Sequence, residues 1–311
     1  MNLRRSLTYV AAGAALVMGL AACGGGGGSS PLGSGGASQA PAATDTIRIG
    51  SADFTESQLL AQIYGQALQA KGVKVDITAP IGSREVYFPA LTDGSIDLIP
   101  DYTGTLLQYI KKDATQTAAD DVYTALKAAV PAPLTVLDKA AAEDKDAVVV
   151  TSDFATKNNL KSIADLAPIA NTMVFGGPSE FQTRPDGIPG IQKTYGVTFK
   201  SYSALDTGGP VTVKGLKDNT VQAADLFTTD PSIEDNKFVV LADPKNNFAA
   251  QNVVPLINAK KATDQVKQIL NAVQAKLTTE GLVTLNRTAN APDKPNLDTV
   301  AKNWLSQNGL A

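Results

Sequence analysis

The segment LIPDYTGT, residues 98–105, crowds a carboxylate (Asp101), a ring (Tyr102), two hydroxyls (Thr103, Thr105) and a glycine (Gly104) between an apolar run and the helix-like LLQYIKK. Three further segments have similar make-up at the ends of strand-like runs. They are Ser51-Ala52-Asp53-Phe54-Thr55, then Gly176-Gly177-Pro178-Ser179-Glu180-Phe181 followed by Arg184, and Phe227-Thr228-Thr229-Asp230-Pro231. Free backbone N–H groups at helix starts attract anions. The faces of Phe54, Tyr102 and Phe227 attract cations. Together the four segments predict a cleft for a small solute carrying both signs of charge. Plainer roles stay open for each residue alone. Thr55, Ser179 and Thr228 suit N-caps, as do Asp101 and Asp230. Phe54 and Phe227 suit a core, and Arg184 suits a solvated surface. Four such groups at equivalent strand ends exceed what core packing requires.

Composition narrows the chemistry. The chain has 311 residues, is 43% hydrophobic and holds 30 acids against 27 Lys and Arg, a net charge of −3. That balance argues against a nucleic-acid partner. No histidine occurs, which removes the commonest general base and metal ligand. No P-loop, GxSxG or HExxH pattern is present. We therefore expect no enzyme, no cofactor and no metal. The cluster Glu143-Asp144-Asp146 reads as a solvated face.

The one cysteine is Cys23. Arg4 and Arg5 precede an apolar stretch over residues 7–20, and LAAC then resembles a bacterial lipobox. We expect a signal peptide over 1–22, lipidation at Cys23 and a flexible Gly/Ser/Ala/Pro tether over 23–45. The protein would then be a monomer, lipid-anchored at the extracytoplasmic face of the cell membrane.

The elements that must position the four segments follow from Thr46 onward. IRIGS, VKVDITA and IDLIP read as strands, with amphipathic helices over 55–72, where Thr55 and Gln58 form a capping box, and 83–94. This β-α-β-α-β run predicts a parallel sheet. DAVVVTS, TMVFGG, VTFKSY and VQAADLF repeat the strand signal. NVVPLIN and three helical segments, at about 262–278, 280–289 and 297–308, close the chain. The expected class is α/β, in two lobes: 46–140 plus 250–311, and 141–249.

IRIGSADFTESQLLAQIYGQAL, IDLIPDYTGTLL, FGGPSEFQTRPDGIPGIQKTYGV and ADLFTTDPSI resemble the substrate-binding component of osmoprotectant ABC importers, the ProX/OpuC-like family. The resemblance implies a type II periplasmic-binding-protein fold with a ligand cleft between lobes. It implies an extracytoplasmic receptor for quaternary ammonium solutes such as glycine betaine or choline, delivering to an ABC permease. It assigns Tyr102 and Phe227 to an aromatic box around the ammonium, and Thr105 and Arg184 to a solute carboxylate. Asp53, Phe54, Asp144 and Thr228 complete the expected site. Ala52 replaces a family lysine, Asp146 a box tyrosine, and Ala249-Ala250-Gln251 a late Pro-Pro-Tyr. These departures leave a second expectation open, the same scaffold retuned to another small polar or planar aromatic solute.

Overall fold

The computed structural model describes residues 45–311. The expected leader, Cys23 and all but the last residue of the tether lie outside the described residues.

Two five-stranded sheets organise the chain. The first contains β1 (Ile47–Ile49), β2 (Val75–Ile77), β3 (Leu98–Tyr102), β4 (Leu134–Val136) and β10 (Val253–Asn258), in the order β2-β1-β3-β10-β4. The second contains β5 (Asp146–Thr151), β6 (Val174–Gly177), β7 (Ser201–Ala204), β8 (Ala223–Phe227) and β9 (Phe238–Val240), in the order β7-β6-β8-β5-β9. β1 lies parallel to β2 and to β3, as the alternating pattern predicts. β10, however, is antiparallel to β3 and β4, and β5 is antiparallel to β8 and β9. Parallel neighbours need a returning crossover. β5 and β10 instead enter their sheets straight from the other lobe, and both sheets are mixed.

Helices cover the sheets. The first lobe carries α1 (Thr55–Ala70), α2 (Arg84–Thr92), α3 (Thr103–Ile110) and α4 (Ala119–Ala129). The second carries α5 (Ser152–Asn158), α6 (Ile188–Tyr195), α7 (Pro210–Lys217) and α8 (Pro231–Asp235). The chain then returns to the first lobe with α9 (Asp264–Gln274), α10 (Thr279–Ala289) and α11 (Leu297–Gln307). α1 buries Leu59, Leu60, Ile63, Tyr64 and Leu68 in one core with Leu270, Leu282 and Leu305 of the last three helices. Each such side chain contributes about 1.5–3 kcal/mol by leaving water. The opposite face of the first sheet packs Leu91, Leu106 and Val122. In the second lobe Phe175 stacks on Phe181. Glu143 and Asn252, one on each connection between lobes, form an antiparallel bridge.

Three local expectations differ from what forms. No capping box closes α1: its N-cap is Phe54, and Ser57 Oγ accepts from the Ala52 amide at 2.9 Å instead. The VTFKSY strand forms only from Ser201, because the Lys200 amide is drawn to the Ala170 and Met173 carbonyls. Finally, LIPDYTGT contains no gap. Strand pairing with β10 carries Asp101 and Tyr102 into β3, and α3 begins at the next residue.

Candidate functional site

The four strand-end segments meet at a cavity of about 50 Å³ that takes walls from both lobes. Asp53 and Phe54 follow β1, Tyr102 ends β3, and Thr105 lies in the first turn of α3. From the second lobe come Glu180 and Arg184 beyond β6, and Phe227 at the end of β8. The cavity shares Asp53, Phe54, Asp144, Glu180 and Phe227 with an outer groove of about 1390 Å³.

The rings form one group. Phe54 stands 6.0 Å from Tyr102 and 5.1 Å from Phe227, centroid to centroid, so it links the lobes through tilted ring contacts. Tyr87, one turn beyond Arg84 on the same face of α2, is a fourth aromatic on the cavity wall. It was not anticipated. The signal was there: Arg84 and Tyr87 stand three apart at the start of a helix.

The charges are unequally matched. Arg84, 5% exposed, donates to Asp101 at 2.6 Å, and Tyr87 donates to the same carboxylate at 2.9 Å. Arg184 donates to Glu85 of α2 across the interlobe boundary, at 3.3 Å from Nε and 3.2 Å from Nη2, and lies 3.9 Å from Glu180. Burial opposes ionisation of Glu85, but the Arg184 hydrogen bond and charge outweigh it and hold its carboxyl at about 2. Among the described residues no Lys or Arg forms an ion pair with Asp53, Asp144 or Asp146. Asp144 and Asp146 both line the cavity. Burial pushes Asp144 well up, helped by the nearby Glu56 charge. Burial and the Asp186 charge raise Asp146 to about 7, against the pull of Arg184 and Arg84. The expected solvated face at 143–146 is therefore corrected for these two aspartates. The chain turns inward there to start β5, and Asp144 is only 5% exposed.

Glu56 stitches the lobes. Its Oε1 accepts from the Tyr102 hydroxyl at 2.7 Å. Its Oε2 accepts from Thr229 Oγ1 at 2.7 Å and Asn286 Nδ2 at 2.5 Å. Burial raises its pKa, and these three donors oppose the rise. On the rim, Arg287 of α10 donates to Asp235 at 2.6 Å and Glu234 at 2.7 Å of α8.

The start of α3 is capped from the connection between lobes. Gln251 Oε1 accepts from the Gly104 and Thr105 amides, each at 3.0 Å, and lies 3.5 Å from Thr105 Oγ1. Residue 104 must be glycine for this approach, since a Cβ there would sit 2.7 Å from the Ala250 carbonyl oxygen. Of the anticipated site residues, Thr228 is the one set apart. It is exposed and lines no cavity wall, but its hydroxyl, which accepts from the Lys145 amide at 2.9 Å, also donates to Asp144 at 3.4 Å. Thr229 takes the inward position, with its amide donating to Asp144 at 3.1 Å.

Comparison with known proteins places this geometry. A family model described as the substrate binding domain of the ABC-type glycine betaine transport system matches residues 45–307. The glycine betaine-binding protein YehZ of Escherichia coli is 29% identical over 281 residues, covering 86% of this chain and 92% of the relative. The carnitine transport binding protein OpuCC of Listeria monocytogenes is 28% identical over 272 residues, covering 85% and 87%. A crystal structure of a glycine betaine/carnitine/choline ABC transporter component superposes with a TM-score of 0.67 at 22% identity, covering 85% of this chain and 99% of that one.

Proposed function

Because this chain belongs to the family of substrate-binding domains of ABC-type glycine betaine transport systems, we propose that its interlobe cavity holds the ammonium end of a quaternary ammonium solute. The chain has the type II periplasmic-binding-protein fold. It is a solute-binding receptor of an ABC importer, not an enzyme, and works with a membrane permease. The observation that carries the ligand reading is the company around one cavity. Phe54, Tyr87, Tyr102 and Phe227 stand with Asp144 and Asp146, and among the described residues neither aspartate has a basic ion-pair partner. A desolvated cation gains about 2 kcal/mol from a good ring face, and an acid held only by neutral donors, as Asp144 is by the Thr228 hydroxyl and the Thr229 amide, gains further from a cationic guest. Asp53 adds a carboxyl group shared with the outer groove, and Thr105 and Arg184 line the cavity from opposite lobes. Thr228 enters this reading only behind Asp144, to which its hydroxyl donates.

Calorimetric titration with glycine betaine, choline and carnitine tests it. Saturable heat is expected from at least one of them. Silence from all three rejects the quaternary ammonium reading and leaves the receptor role standing.

The same reading includes residues 46–140 plus 250–311 and residues 141–249 as the two bodies that close on the solute. It also includes removal of residues 1–22 and lipidation at Cys23, which would hold a monomer at the extracytoplasmic membrane face. The lipobox-like LAAC supports the anchor. Cys23→Ser is expected to release the protein from the membrane fraction.

A further inference from the structure

Hydrogen-bond donors on the cavity wall face acceptors that the chain itself supplies. Arg84 and Tyr87 give to Asp101, and Tyr102 gives to Glu56. Two donor groups have the geometry to take an anion. One is the Arg184 guanidinium, a planar fork suited to a carboxylate. The other is the start of α3, with its free amides. Glu85 fills the first from the opposite lobe, placing its two oxygens on Nε and Nη2. The Gln251 side chain fills the second from the interlobe connection. The acids on the same wall are matched less well: Asp144 accepts only from the Thr228 hydroxyl and the Thr229 amide, and among the described residues neither Asp144 nor Asp146 forms an ion pair with Lys or Arg.

We propose that Glu85 and Gln251 are specificity-determining residues that stand in for a solute's acid group, so that the cleft selects an organic cation without a carboxylate over a zwitterion. The inference rests on the quaternary ammonium reading above. A zwitterion must displace Glu85 from Arg184 to seat its acid group. A simple cation leaves the Arg184–Glu85 pair whole.

The test is titration of the wild type, Glu85→Gln, Glu85→Asp and Gln251→Ala with choline and with glycine betaine. The readout is the ratio of the two dissociation constants, which a purely structural role would leave unmoved. Wild type is expected to bind choline tighter. Glu85→Gln frees Arg184 for the solute and is expected to shift the ratio toward betaine by about tenfold, the worth of one charge-assisted hydrogen bond. Glu85→Asp is expected to restore most of the wild-type ratio. Gln251→Ala is expected to shift the ratio in the same direction as Glu85→Gln, with its melting temperature followed because the side chain is buried. Glu85 is exposed, so its variants are expected to fold, and their melting temperatures check this. Betaine binding tighter than choline in the wild type, or a ratio unmoved by Glu85→Gln, overturns the inference while the parent reading stands. A ratio unmoved by Gln251→Ala alone removes that residue. Carnitine binding alone, with choline and glycine betaine silent, also overturns the inference while the parent reading stands; silence from all three overturns the parent reading, and this inference with it.

Discussion

Glu56 and Thr229 stand 173 positions apart in the chain and meet at 2.7 Å, side chain to side chain, where the two lobes touch. The same carboxylate takes the Tyr102 hydroxyl and the Asn286 amide, so one acid joins α1, β3, α10 and the turn after β8. Such a group is expensive to remove, because its three donors would be stranded away from water.

Glu56→Ala is therefore expected to destabilise the protein by roughly 2–4 kcal/mol, since each buried polar group left unpaired costs about 1–3 kcal/mol. Thr229→Val, which removes the hydroxyl's bond to Glu56 and the 3.1 Å bond it accepts from Asn286, is expected to cost less, about 1–2 kcal/mol. Urea midpoints measure both. Equal costs for the two variants would contradict the network.

Asp146 sets a pH window. Its carboxyl is raised to about 7 by burial first and by Asp186 second. Its protonated form is the one the fold prefers. That stabilisation is full below the ordinary carboxylate range and is lost as pH rises through about 7. A cationic solute prefers the ionised form, so its affinity should climb from pH 6 to pH 8 by at most tenfold per unit and then level off. Asp146→Asn is expected to flatten that profile. Glu85 works in the opposite sense: held at about 2 by Arg184 against burial, it supports the fold above the usual carboxylate range and ceases to as pH falls toward 2.

The rings can be weighed singly. Phe54→Ala or Tyr87→Ala is expected to weaken binding of a quaternary ammonium solute by roughly 0.5–2 kcal/mol each. Tyr87→Phe keeps the ring but removes the 2.9 Å bond to Asp101. It should keep affinity while lowering the melting temperature. Loss of affinity in Tyr87→Phe would assign the hydroxyl, rather than the ring face, to the solute.

Gly104→Ala tests the cap on α3. The added methyl would stand 2.7 Å from the Ala250 oxygen and 3.1 Å from the Gln251 side chain. It must push the interlobe connection away, and a loss of about 1–3 kcal/mol is expected, as for other overpacked sites. Thermal unfolding measures it.

Much of this was legible in the chain because strand ends and helix starts carry their own chemistry. Phe54, Tyr102, Arg184 and Phe227 could be named as cleft residues from position alone, and all four line the cavity. Residues whose role depends on tertiary approach could not. Gln251 looks like a lost ring until the fold brings it to the amides of α3. Glu85 looks like an ordinary first-turn acid until the second lobe delivers Arg184. Asp144 and Asp146 looked solvated because a local run of charge says nothing about which way the chain turns. Thr228 and Thr229 are chemically alike, and only the register of β8 decides which one faces inward.

The place of β10 has a consequence for biogenesis. Among the described residues β4 pairs with β10 alone, and β3 keeps an open edge until β10 arrives. The whole second sheet lies between them in the sequence. A polypeptide released before Val253 would thus carry a finished inner body on an unfinished outer one, with a naked strand ready to pair with a stranger.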